Sequence, residues 1–200
     1  MSAFDFEPLL EAVKDLHRNH AALQEFAAFP DDITAQETRP FWIPAAQLLQ
    51  DETRLTSTNY AHVRDAVIAA APHVQWRETY KDTDIGADFM DRFGCYEIIG
   101  RDTPFASNKI RSFVVYQPAH LHYPWHHHPA DELYVVLAGQ AEFFLEGASP
   151  TTLHPGDSAF HPSNTPHALT THDHPVMTYV IWRDQFETAP VWSASVGAKV

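Results

Sequence analysis

The sequence predicts a mainly β protein: a barrel of short strands preceded by a helical segment. Two patterns carry that prediction. From Cys95 onward, short apolar runs recur between Gly, Pro, Asn and Asp residues at the regular spacing of a closed all-β architecture. Before that point, apolar residues step by three and four, the period of an amphipathic helix. A third observation gives the barrel its purpose. The stretch from His122 to Gly139 gathers imidazoles, carboxylates and two phenols, and ends in an apolar strand.

Leu9, Val13, Leu16, His20 and Leu23 fall on one face of a helix expected from Phe6 to about Phe29, ended by Pro30-Asp31-Asp32. His20 in that stripe reads as a hydrogen-bonded helix histidine. An irregular connector follows from Glu37, then a short helix over Pro44–Gln50 with proline in its first turn. Thr58-Asn59 can cap a second long helix with Tyr60, Val63, Val67 and Ala70 as its apolar stripe, stopped at Pro72. Gly86–Gly94 fits either a helical turn or a loop. Strands are expected at Cys95–Ile99, Ile110–Gln117, Leu133–Leu137, Ala141–Glu146, Ser158–His161, His167–Thr171 and Val176–Arg183, with Gly139-Gln140 as a tight hairpin. The expected division is a helical segment over 1–93 packed on a barrel over 94–200, one structural domain in all.

Within the histidine-rich stretch, His126-x-His128-x3-Glu132 can aim nitrogen and oxygen ligands at one divalent metal. Pro129 cannot donate to a sheet ladder, so Pro129-Ala130-Asp131 reads as a turn between two strands. Alternation along a strand then puts His126 and His128 on one face, and Glu132 and Tyr134 on one face. A third imidazole is offered by Gly156-Asp157-x4-Pro162-x4-His167. His128, Glu132 and His167 form the expected ligand set, since a carboxylate buried beside imidazoles without a cation would be costly. His126 either ligates or sits beside the metal as a hydrogen-bonding or acid–base group. Tyr134 faces the same ion. A free phenol has a pKa of about 10 and is a poor base at neutral pH, but a divalent cation favours the phenolate.

Taken together, these two segments resemble the paired signature motifs of the cupin superfamily, which implies a double-stranded β-barrel, or jelly roll, with a metal inside. His120 and Asn164 stand where the motifs usually have glycine, and Thr171 stands where the second usually ends in asparagine. None of these departures touches a ligand position.

Tyr123 and Trp125 precede the histidines and Trp182 lies in the last long strand. Their faces can hold a cation by cation–π attraction, worth about 2 kcal/mol when desolvated, and core packing explains each equally well taken alone. His161, His172 and His174 lie close to the second motif without a convincing ligand spacing, and one of them could support a ligand. The run from His122 to Gly139, with His167 and the segment around Trp182, is similar to cupin-fold dimethylsulfoniopropionate (DMSP) lyases of the DddQ type. That resemblance implies a metal on His128, Glu132, Tyr134 and His167, Tyr134 as base, Tyr123 and His126 near the substrate, and Trp182 in the pocket wall. The implied reaction is β-elimination of a small molecule carrying a carboxylate and a sulfonium, giving dimethyl sulfide and acrylate. One divalent ion is expected, and zinc, iron(II) and manganese all accept this mixed donor set.

Composition bounds the alternatives. Acidic residues outnumber basic ones 26 to 13, a formal charge of −13. That argues against nucleic acid, whose binding needs a basic footprint. Cys95 is the single cysteine, so no intrachain disulfide or zinc finger is available, and a buried thiol is its default state. No secretion signal or membrane-spanning run is evident, so a membrane role is not expected and a cytoplasmic location follows by default. Oligomeric state is open, a homodimer included. Three rival functions stand: a non-haem iron dioxygenase acting on a small acid or thiol, a non-catalytic ligand-binding cupin, and a lyase-like scaffold with another substrate.

Overall fold

The structure, a computed structural model, describes residues 4–193. Helices α1 (Glu7–Asn19), α2 (Ala21–Phe26), α3 (Pro44–Asp51), α4 (Ala61–Ala70) and α5 (Ala87–Arg92) come mostly before the barrel strands. The strands are β1 (Thr34–Ala35), β2 (Gly94–Ile99), β3 (Phe105–Ala106), β4 (Arg111–Gln117), β5 (Leu121–His127), β6 (Asp131–Gly139), β7 (Ala141–Leu145), β8 (Thr151–Leu153), β9 (Ser158–His161), β10 (His167–Thr171), β11 (Val176–Arg183) and β12 (Val191–Trp192). They form a seven-stranded sheet, β1-β3-β2-β4-β11-β6-β9, and a five-stranded sheet, β12-β5-β10-β7-β8. This is the expected mainly β cupin barrel with helices ahead of it.

The two-residue period of β-strands divides the larger sheet between two cores. Leu133, Val135 and Leu137 of β6, with Met177, Tyr179 and Ile181 of β11, face outward onto Val13, Leu16, Val63 and Val67 of α1 and α4. Tyr134, Val136, Val180 and Trp182 face inward with Phe113, Tyr123, Phe143 and Leu169. A one-residue slip would exchange these faces, so the helical layer and the barrel interior fix the register jointly.

Three details differ from the sequence expectations. The first helix is broken at His20, which is extended (φ −109°, ψ 111°). Its Nε2 donates to Gly156 O at 2.9 Å, a tie to the barrel that replaces helical continuity. Thr58 and Asn59 do not cap α4; Tyr60 occupies the cap position without a side-chain bond, and the Ser57 hydroxyl accepts from the Tyr60 amide instead. Strands β1, β3, β8 and β12 are additional to the expected ones, and each has only two or three residues, too few for a period to show in the sequence.

The motif departures have a physical account. His120 and Asn164, both replacing glycine, have φ of 59° and 57°, the left-handed region that glycine enters freely and asparagine tolerates. Thr171 holds the start of β5: its hydroxyl donates to Pro118 O at 2.6 Å and accepts from the Leu121 amide at 2.9 Å. Gly139, at φ 72°, is required, since a Cβ there would collide with the Pro175 carbonyl.

His17 joins α1 to the sheet through Nε2 and the Tyr179 hydroxyl at 2.9 Å, and burial lowers its pKa to about 4. An unfolded histidine has a pKa of about 6.5. Stability is therefore fully present above that value and is lost as pH falls through about 4, because the unfolded chain takes the proton first. Between pH 7 and 4.5 this group should cost about 2–3 kcal/mol. A His17→Gln protein should lose less melting temperature over that interval than the wild type; equal losses would exclude His17 as the cause.

Candidate active site

The turn between β5 and β6 brings the first motif together at one end of the barrel, and β10 opens with His167 opposite His126. His126, His128, Glu132 and His167 are each 2% exposed. Three short hydrogen bonds set the imidazoles. The Nδ1 atoms of His126, His128 and His167 donate to the carbonyls of Pro124 (2.8 Å), Ala130 (3.0 Å) and Thr165 (2.9 Å). A carbonyl only accepts, so Nδ1 of each ring carries a proton, and in that neutral tautomer the Nε2 lone pair is left for another partner.

The Nε2 atoms of His128 and His167 are buried with no hydrogen-bond partner. They lie 3.5 and 3.1 Å from the two oxygens of Glu132. Ligand atoms of His128, Glu132 and His167 all fall within 4.8 Å of one another. Two orphaned imidazole nitrogens and a carboxylate, buried and convergent, could hold a divalent metal. Burial would raise the Glu132 carboxyl, but the imidazoles of His128, His161 and His167 outweigh it and hold the group well below its usual range. His126 stands outside the converging trio, and burial together with His167 drives its basicity well down, leaving a neutral ring.

Tyr134 follows Glu132 by two positions and lines the same small cavity as His126, His128 and Glu132. Burial and the Glu132 charge raise its phenol well above the ordinary value. Tyr123 lies in that wall, its ring stacked on His126 at 4.0 Å. Its hydroxyl bonds that of Tyr80. Trp182 donates Nε1–H to Glu132 Oε1 at 2.6 Å, and its ring lies 4.2 Å from that of His128.

Trp125 does not join them. Pairing of β5 with β10 shifts between His167↔His126 and Leu169↔Tyr123, so three steps on β5 oppose two on β10. This bulge at Pro124-Trp125 turns both Tyr123 and His126 inward and sends Trp125 to the outer face, against Phe144. Strict alternation, which pairs Tyr123 with Trp125, fails at the bulge.

The dimethylsulfoniopropionate lyase family model matches residues 17–178. Dimethylsulfoniopropionate lyase DddQ of Ruegeria pomeroyi is 52% identical over 186 residues, which are 93% of this chain and 92% of that protein. The chain belongs to the DMSP lyase family. The crystal structure of DMSP lyase DddQ from Ruegeria pomeroyi DSS-3 superposes with a TM-score of 0.93 at 50% identity, covering 96% of this chain and 98% of that one. A chain from the crystal structures of the DMSP lyases RdDddP and RnDddQII gives a TM-score of 0.91 at 37% identity, covering 94% and 97%.

This member of the DMSP lyase family has support residues that spacing alone left unassigned. His161, opposite Glu132 in the β6–β9 register, donates Nδ1–H to Glu132 Oε2 at 2.8 Å and stacks on His167 at 4.1 Å. Burial and His167 lower its pKa to about 4. Its position at the end of a strand just before Pro162 was the available signal. Tyr80 and Trp192, stacked on each other at 4.0 Å beside Tyr123, gave none, because their approach depends on distant chain segments. Cys95 is buried in the cavity wall, which pushes its thiol up to about 12. No helix among the described residues is long and apolar enough to cross a membrane.

Trp182→Phe keeps an aromatic ring and removes one hydrogen-bond donor from the Glu132 carboxylate. It should weaken divalent-metal affinity by about 10–100-fold, read by titration of metal-depleted protein with zinc. Unchanged affinity would mean that the indole only fills space.

Proposed function

We propose that this protein cleaves dimethylsulfoniopropionate to dimethyl sulfide and acrylate by β-elimination, with Tyr134 as the base. The observation that carries the reading is that Tyr134 lines one small cavity with His128 and Glu132, two of the three donors that converge with His167. His128, Glu132 and His167 would hold a divalent cation, with Tyr134 as a fourth ligand. When bound, that ion favours the phenolate and stabilises negative charge developing beside a carboxylate.

The remaining work belongs to the chain. Tyr134 accepts the proton from the carbon next to the substrate carboxylate. The C–H electron pair becomes the C=C bond, the C–S bond breaks, and sulfur leaves with its pair as neutral dimethyl sulfide. Before that, the faces of Tyr123, Phe113 and Trp182 hold the sulfonium by cation–π attraction in a desolvated wall. Trp182 and His161 keep Glu132 oriented and ionised through two hydrogen bonds. His126, neutral and fixed through Nδ1, offers Nε2 as an acceptor beside Tyr123.

The test is headspace dimethyl sulfide and dissolved acrylate from purified protein, loaded in turn with zinc, iron(II) and manganese under strict anaerobiosis. Equal amounts of the two products are expected. No gas with any of the metals, or turnover that needs oxygen, would replace this reading with the dioxygenase one.

A further inference from the structure

Beside the catalytic cavity lies a second space, and one arginine divides the two. Arg77 and Thr79 line both the cavity and a surface cleft whose walls also include Phe41, Glu97, Arg101 and Asp102. The cavity holds about 40 Å³, little more than the share of one water. Pockets that take small molecules run to about 300–1,000 Å³, and the cleft, at about 490 Å³, is of that size.

Arg77 is built into the boundary. Its Nη1 donates to Glu97 Oε1, and among the described residues its guanidinium makes no other hydrogen bond, so Nε and Nη2 still have protons to give. Its Cζ lies 5.4 Å from the Phe113 centroid, and the Phe113 ring meets Trp182 at 4.9 Å. One side of this cation thus faces a carboxylate of the cleft and the other an aromatic wall of the cavity. Glu97 is 8% exposed and its Oε2 has no partner. In a chain of formal charge −13, an incoming carboxylate needs a local cation; of the two arginines in the cleft wall, Arg101 is paired with Glu187 and largely exposed, whereas Arg77 also borders the cavity.

We propose that the cleft is an outer binding site for the zwitterionic substrate, with Arg77 taking its carboxylate there before it enters the cavity. This rests on the lyase reading above. The exchange is balanced in charge: the substrate carboxylate replaces Glu97 on the guanidinium, and Glu97 is left facing the substrate's sulfonium. Arg77 binds and guides the substrate and takes no part in the elimination itself.

Two measurements test this. The double variant Arg77→Met/Glu97→Gln removes the cation without stranding a buried carboxylate. Its KM for dimethylsulfoniopropionate should rise about tenfold or more, the loss of a charged hydrogen bond, with kcat within about threefold and KM partly recovered in Arg77→Lys. Independently of turnover or of the variants' folding, titration of labelled wild-type protein with acrylate should shift the Arg77 Nε–Hε resonance and the Asp102 amide saturably. Shifts at Arg77 without dimethyl sulfide production would keep the outer site and overturn the lyase reading. An unperturbed Arg77 would overturn the outer site, as would a fall in kcat with KM unchanged.

Discussion

Tyr134→Phe should lower dimethyl sulfide production by about 10²–10⁴-fold, the range lost when a positioned general base is removed, while the protein still takes up one divalent ion. The two outcomes separate because His128, Glu132 and His167 converge without the phenol. Phenylalanine keeps the ring's packing against Phe143 and His161, at 5.6 and 5.3 Å between centroids, so loss of fold is not expected. Metal content by elemental analysis, set against turnover, decides the matter. Retained activity would move the base elsewhere, with His126 the next group in the cavity wall.

Removal of the cation should have an effect at least as large. Exhaustive chelation, or His167→Ala, should abolish measurable lyase activity, and added divalent metal should restore the chelated protein but not the variant. The reason lies in the donor set itself. His128 and His167 present unpaired buried nitrogens to an ionised carboxylate, and burial with the Glu132 charge keeps the Tyr134 phenol protonated. Without a cation, that phenol has a proton where the reaction needs a lone pair. Activity undiminished after chelation would show that another influence ionises it.

Much of this site was legible because strand periodicity is local. His128, Glu132 and Tyr134 owe their placement to one turn and one alternation, and His167 to a motif with its own turn and strand. What escaped was set by interactions between distant segments. The bulge at Pro124-Trp125 reverses the face of Trp125, and it appears only in the pairing of β5 with β10. His161 reaches Glu132 through the β6–β9 register. Tyr80 comes from the segment before the barrel, yet its hydroxyl meets that of Tyr123 across 43 positions of sequence. Likewise the helical layer was expected from its apolar stripe, but its break at His20 follows from a contact with Gly156, 136 residues away.

A divalent cation should turn the buried Tyr134 hydroxyl into a phenolate at neutral pH. Ultraviolet difference spectroscopy of metal-depleted protein, titrated with zinc at pH 7, tests it without reference to turnover. One equivalent of tyrosinate absorbance should appear as one equivalent of metal binds, and the signal should be missing from Tyr134→Phe. Metal uptake with no tyrosinate signal, or the same signal in the variant, would contradict the account.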